Sequence, residues 1–417
     1  MEESAIRYEI LGDKPTKTDD ELPTAILGQT GSGTYITSLA ATENGTTVFG
    51  VSDSNSGYTP LASTYDDYGF DYVFDFNGNR ELRVLQLSDT QIIDSAQDEA
   101  GRLSAEEVAK WTQDKIDELL FNCLDAAVEA ADPDIILITG DLNYGEFDGD
   151  GWCLQTLIAH MESLQIPWAP IFGNHDNEGV DGVRTTIAMQ CGWLEDATYC
   201  LFNQRHNIGG NGNYTIALAQ NGELVRTIYM LDSNYCTLTD DPDQTVTVSA
   251  GGTRHTFLGF TTAQINWMYA MGMRTNQLAG RTIPSFVCYH IPSGEFLKGA
   301  VANGYQIAED SAAIKYTIGE DVAANSGDSG YKGGGWGTTI NDRYLLPTLQ
   351  KIGADGVFCG HQHVINTSFH YAGIRWTMGL KTGEYCDFPK EMGGTLATVS
   401  ADGSEFTIER IVSQIAD

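Results

Sequence analysis

The sequence predicts a mixed α/β (α+β) fold, and three observations predict it. From residue 82 onward, apolar runs of strand length alternate with amphipathic stretches of helical period. One of those runs, Ile135-Ile136-Leu137-Ile138, has no polar face, as a strand covered on both sides requires. Hairpin signals with Asn-Gly or Asp-Gly turns occupy both ends of the chain.

Residues 1–70 are rich in Gly, Ser, Thr, Asp and Asn and hold one hairpin-like stretch, 34–51, around Glu43-Asn44-Gly45. They read as an N-terminal extension of strands and loops, and residues 71–417 as the main domain. Residues 72–76 and Leu82–Leu87, separated by Asn77-Gly78-Asn79, read as a second hairpin. Ser104-Ala105-Glu106-Glu107 is a capping box. It opens a long helix that places Val108, Trp111, Ile116, Leu119, Leu120, Cys123, Leu124, Ala127 and Val128 on one side, until Asp132-Pro133 stops it. A strand at 135–138, a helix near 153–164 and a strand at 168–172 follow. Residues 213–219 and 224–231 pair about Asn221-Gly222, 262–273 is helical, and 285–289 and 356–359 are strands. A hairpin of 395–400 and 406–411 about Asp402-Gly403 closes the chain. The Gly-rich stretch 325–337 reads as a solvated loop or a lid, and Gly333-Gly334-Gly335 lacks the strand-to-helix setting of a phosphate-binding loop.

The chain has 417 residues, 41% of them hydrophobic, enough for one large elaborated domain or two. Its net charge of −34 repels nucleic acid and anionic membrane at long range. Small anionic substrates remain open, because bound cations reverse the local potential. No run of 18 apolar residues suggests a membrane span. Met1-Glu2-Glu3-Ser4 does not begin a signal peptide, so a cytoplasmic location is expected, or secretion if the natural chain starts further upstream. The eight cysteines form no CxxC pair and read as buried free thiols; Cys191 and Cys200 flank a short loop that a disulfide could close in an oxidising compartment.

The functional signal is positional. Five apolar strands end in residues fit for a metal: Asp89 and Gln91, Asp141, Asn174, His290, and His361 with His363. Ligands of α/β sheets gather at the carboxyl ends of strands, so these tips can share one cleft. Asp and Asn oxygens with His nitrogens suit Mn, Fe or Zn ions, and no thiolate at a tip suggests a structural Cys site. Glycines precede Asp141, Asn174 and His361, letting the backbone turn sharply beside a ligand. Alternation along a strand would put the His361 and His363 rings on one face.

The ordered set Asp89-Thr90-Gln91, Gly140-Asp141-Leu142-Asn143-Tyr144, Gly173-Asn174-His175-Asp176, Val287 to His290 and Gly360-His361-Gln362-His363 resembles the calcineurin-like metallophosphoesterase superfamily, from Leu82 to about Met378. Ile166-Pro167-Trp168, Leu231-Asp232-Ser233, Gln264-Ile265-Asn266-Trp267 and His290-Ile291-Pro292 resemble its purple-acid-phosphatase-like branch. The resemblance implies a four-layer α/β/β/α sandwich of two mixed sheets, a catalytic domain over 71–417, and a dinuclear metal centre at the strand ends. One ion would be held by Asp89, Gln91, Asp141 and His363, the other by Asp141, Asn174, His290 and His361, with Asp141 bridging. Asn174 and the unligated His175 would bind the phosphate, and His175 would otherwise protonate the leaving oxygen. A hydroxide bridging the ions would attack phosphorus. Gln91 departs from the pattern, since many members carry His there. Tyr144 stands where purple acid phosphatases place a tyrosinate on ferric iron; it either ligates or lines the cleft.

The function expected is metal-dependent hydrolysis of a small phosphomonoester, with diester hydrolysis of cyclic or dinucleotide substrates, or an inactive metal-binding scaffold, as alternatives. His160, His206, His255 and His370 read as surface or capping residues, with His206 and His255 as minor substrate contacts. Asp176 is expected to orient His175 or cap a helix, and Asn143 to contact phosphate or serve structure. Lys381 reads as a surface lysine or a counter-charge to phosphate, and Cys288 and Cys359 as core packing.

Overall fold

The structure, a computed structural model, describes residues 11–94, 96–99, 103, 105–110, 113–146, 149–176, 185–234, 259–304, 306–308, 314–317, 335–336, 344–363, 367–385 and 391–415. Two mixed sheets lie face to face with helices outside them. The larger has ten strands. Edge to edge these are Gly28–Gln29, Tyr35–Ala41, Thr47–Ser52, Tyr72–Asn77, Tyr214–Gln220, Glu223–Met230, Ser285–Cys288, Ala354–Cys359, Ile374–Met378 and Ser368–Tyr371. The smaller has five, in the order Phe406–Ile415, Glu391–Val399, Leu82–Leu87, Ile135–Thr139 and Trp168–Ile171. Short strands Gln306–Ala308, Ile314–Thr317 and Gly335–Trp336 pair separately.

The strands that carry the candidate ligands are parallel within their sheets. Leu82–Leu87, Ile135–Thr139 and Trp168–Ile171 form one parallel set, and Ser285–Cys288 and Ala354–Cys359 belong to another. Within each sheet their carboxyl ends therefore face one way, and the ligand groups they carry meet at Asp141. Ile135–Thr139 is buried throughout, because both of its faces are covered. Across the inter-sheet core, the Phe406 ring meets Phe286 edge-on at 4.8 Å. Tyr214 donates its hydroxyl to the Pro170 carbonyl at 2.6 Å, and Gln86 Nε2 donates to the Cys359 carbonyl at 2.8 Å. Helix Asn122–Ala131 covers the smaller sheet; Thr262–Ala279 packs on Leu345–Ile352, which lies against Ala354–Cys359.

Several elements differ from the sequence expectation. Tyr72–Asn77 and Leu82–Leu87 are not a hairpin. The first pairs with Thr47–Ser52 and Tyr214–Gln220, the second with Ile135–Thr139 and Glu391–Val399. The turn between them steps from one sheet to the other, because each strand is buried along most of its length and pairs on both edges. Strands Tyr35–Ala41 and Thr47–Ser52 pair as expected, and they extend the same ten-stranded sheet. The long helix is segmented: helix Ala105–Lys110, a short 3-10 stretch Gln113–Lys115, a π turn Asp117–Phe121, then helix Asn122–Ala131. Leu119, Leu120, Cys123, Leu124, Ala127 and Val128 are buried, so the expected apolar side holds where it can be seen. Ser104, Trp111, His255 and most of the Gly-rich stretch lie outside the described residues. The helix from Thr262 runs to Ala279, with Thr261 and Gln264 completing a capping box and Gly280 closing it in the left-handed region. Cys191 and Cys200 are buried free thiols, which removes the disulfide alternative.

Candidate metal centre

Three of the five strand tips turn sharply where their polar residues stand. Asp89, Gln91, Asp141 and His361 all adopt positive φ, at 56°, 46°, 52° and 75°. Non-glycine residues in that region carry a backbone penalty on the order of 1 kcal/mol each and persist where surrounding contacts hold them. Here those contacts are ladders between tips: Asp89 N donates to Gly140 O at 3.1 Å and Gln91 N to Asp141 O at 2.9 Å.

The three glycines of the motifs are required by space. A Cβ on Gly140 would lie 2.6 Å from His290 Nδ1, one on Gly173 would overlap Asp141, and one on Gly360 would overlap Ser88 and press on Asp89. Gly173→Ala is accordingly expected to destabilise the fold by about 1–3 kcal/mol in urea unfolding and to weaken cation binding, since it must displace Asp141. A variant as stable as the parent with undiminished binding would remove the steric argument.

Two groups of ligand-capable side chains share Asp141. In one, Asp141, His290 and His361 bring their ligand atoms within 4.8 Å of one another; in the other, Asp89, Asp141 and His363 do the same. His290 Nε2 lies 3.2 Å from Asp141 Oδ2 and 3.2 Å from Asn174 Oδ1, so Asn174 belongs with the first group. His290 Nδ1 faces the Thr139 carbonyl at 2.8 Å, the outer contact that orients a ligating imidazole. His363 Nε2 lies 3.3 Å from Asp89 Oδ1. The two histidines of the last motif thus serve different groups. They do not alternate along a strand, because the strand ends at Cys359 and His361 sits in a left-handed turn. Asp89 is further held by the Ser88 hydroxyl at 2.5 Å and the His361 amide at 3.0 Å.

The electrostatics suit cations. Burial disfavours ionised Asp89, but the His363 hydrogen bond and His290 outweigh it and bring its pKa to about 2. Asp141, desolvated yet facing His290 and His175, also stays ionised, well below the ordinary carboxylate range. Burial, helped by His290, lowers His361 to about 3, which leaves its nitrogen free of a proton. Burial alone would lower His290 as well, but Asp141 and Asp89 hold it up at about 9. In the cation-free protein, protonated His290 therefore adds stability below about pH 6.5, and that contribution fades as pH rises through about 9. A cation must displace this proton. Its apparent affinity is expected to rise roughly tenfold per pH unit across this window, with proton uptake by buffer in calorimetry. Affinity flat with pH would show that His290 is not displaced.

The remaining candidates fall as follows. His175 lies with Nε2 4.0 Å from Asp141 Oδ2 and keeps 21% side-chain exposure. Its backbone amide, not its ring, bonds Asp141 Oδ1 at 2.9 Å. Tyr144 packs its ring on that of His175, centroids 4.5 Å apart. Asp176 accepts from the Gly173 and Asn143 amides at 2.6 and 3.0 Å and so ties two motif turns together. Burial and neighbouring Asp141 push it up to about 7. Asn143 is buried, its Oδ1 taken by the Gly145 amide. Gln91 is fully buried, with its amide nitrogen 3.1 Å from Asp141 Oδ2. Its carbonyl oxygen accepts from Lys381 Nζ at 2.8 Å. Lys381 is not a surface lysine: it is 1% exposed. Only a Lys-Thr pair following a strand could have marked it in sequence. Cys288 and Cys359 are core residues as expected. His160, next to Asp125, His206 and His370 stand away from the cluster. A third ligand-capable group, Asp94, Glu146 and Cys153, is buried and had no sequence signal.

Residues 82–365 match the family described as calcineurin-like phosphoesterase. The chain belongs to the calcineurin-like phosphoesterase family. The family uses a dinuclear metal centre, and the two groups sharing Asp141 fit one. Among curated proteins, the chain is 25% identical to "Phosphatase DCR2" of Saccharomyces cerevisiae over 55% of its own length and 36% of that protein's. It is 26% identical to "Probable inactive purple acid phosphatase 29" of Arabidopsis thaliana over 38% of its own length and 42% of that protein's. It thus spans less than half the length of these relatives. Among solved structures, a dimetal phosphatase from Danio rerio aligns over 80% of this chain and 99% of that one, with TM-score 0.43 and 12% identity.

Proposed function

We propose that the chain is a metal-dependent phosphomonoesterase acting on a small phosphorylated substrate. One observation carries the reading: two largely buried carboxylate–imidazole groups meet at Asp141, with a partly exposed His175 beside them that is a member of neither group. Asp89, Asp141, Asn174, His290, His361 and His363 would hold two cations of the Mn, Fe or Zn type. Such ions supply positive charge that activates water and offsets the charge developing on phosphate. The chain's own residues do the rest. Asp141, held by Gln91 Nε2 and the His175 amide, keeps the groups in register. Asn174, through its amide, and His175, through Nε2, face the phosphate. His175, exposed enough to exchange its proton, delivers it to the leaving oxygen. Tyr144 backs the His175 ring and limits its rotation.

Hydrolysis of p-nitrophenyl phosphate by Mn-, Zn- or Fe-loaded protein, beside its bis-ester, tests the reading. Faster monoester turnover supports it, and preference for the bis-ester assigns a phosphodiesterase. A metal-loaded protein inert toward both favours a metal-binding scaffold, the reading suggested by the Gln91–Lys381 bond and by the word "inactive" in the plant relative's name. A purple iron form would add Tyr144 to the ligands.

A further inference from the structure

We propose that Lys381 is a positioning residue that withholds Gln91 from the cation group of Asp89, Asp141 and His363, making that group the weaker of the two. The inference rests on the dinuclear reading and deepens it. The orientation of the Gln91 amide is chemically forced. Lys381 has only donors, so the amide atom 2.8 Å from its Nζ must be the oxygen. Ionised Asp141 has only acceptors, so the atom 3.1 Å from its Oδ2 must be the NH2. Rotating the amide would set NH2 against ammonium and carbonyl against carboxylate. In the arrangement present, Gln91 therefore turns its NH2 toward Asp141, and its oxygen is drawn to the Lys381 ammonium. It spends an N–H bond on an Asp141 oxygen, which reduces that oxygen's basicity toward an ion.

Lys381 is itself immobilised. Its Nζ also binds the Asp89 carbonyl at 2.5 Å, and its own carbonyl accepts from Gly393 N at 3.0 Å. The next residue is strapped to the first tip, with Thr382 N on the Ser88 carbonyl at 2.8 Å and Ser88 N on the Thr382 hydroxyl at 3.2 Å. The ammonium is thus a fixed buried positive charge on the main chain of Asp89. It opposes a second positive charge in that group, and buried charges are little screened. In the group of Asp141, Asn174, His290 and His361, the His290 ring is oriented by the Thr139 carbonyl and its Nε2 lies 3.2 Å from Asn174 Oδ1.

Calorimetric titration of chelator-stripped protein with Mn²⁺ tests this. Two steps are expected, the second weaker by roughly 10- to 100-fold, the range typical of outer contacts to metal ligands. Lys381→Met removes the charge and frees the Gln91 oxygen. It should strengthen the weak step by roughly tenfold or more while leaving the strong step unchanged, and Lys381→Arg should keep the gap. A weak step unmoved by Lys381→Met, or weakened by it, overturns the proposal. So do two equal steps in the unaltered protein, a measurement that stands even where the variant fails to fold. Absence of any Mn²⁺ binding would sink the dinuclear reading itself, a separate outcome.

Discussion

Asp141→Asn is expected to abolish hydrolysis and release both cations together. Asp141 is fully buried and is the residue common to both ligand groups. The substitution preserves shape, and Asn tolerates the left-handed φ of 52° better than Ala does. What it removes is one negative charge between two sites for positive ions. Electrostatic stabilisation by metals is worth several kcal/mol, so turnover should fall on the order of 10³-fold or more. Elemental analysis after dialysis should show both ions reduced in step. The fold should persist, because the His175 amide can still bond an oxygen, while Asp176, held up to about 7 partly by Asp141, loses a repelling neighbour. A variant that retains two ions and turns over at the parent rate would dissolve the assignment of Asp141 as the bridge.

His175→Ala should give the second-largest effect with the opposite signature. The ring acts on the cluster only at a distance: Nε2 stands 4.0 Å from Asp141 Oδ2, and the short bond to Asp141 comes from the His175 backbone amide. Cation content should therefore stay as in the parent, while kcat falls by roughly 10²- to 10⁴-fold for an ester whose leaving alcohol needs a proton. p-Nitrophenyl phosphate, with its acidic leaving group, should lose much less. An equal loss for both substrates would reassign His175 to phosphate binding, and loss of metal along with activity would make it a ligand.

The two variants separate the cage of strand tips from the ring proposed as the acid. They also show how unevenly the site could be read beforehand. Asp89, Asp141, Asn174, His290, His361 and His363 each follow an apolar strand, and each is where that position predicts. Strand ends can be read because the pattern is local: a few apolar residues, a glycine, a polar side chain. Spacing along the chain is less informative where the backbone bends. The His361–His363 pair looked like two alternating strand positions, but the left-handed turn at His361 sends the rings to different groups. Tyr72–Asn77 and Leu82–Leu87 looked like a hairpin because a turn sequence joins them. Each is instead paired on both edges by strands distant in sequence, which places them in separate sheets.

By itself, then, the sequence determined the α/β class, the strand tips and the polar residues that stand at them; the crowding that requires the three glycines came only with the packed tips. The tertiary structure alone decided which way the Gln91 amide faces and that Lys381 lies inside. The physical reason is range. Strand and turn preferences act between neighbours, whereas the ammonium that settles the Gln91 amide comes from 290 residues away, and its partner exists only once both sheets have closed over it.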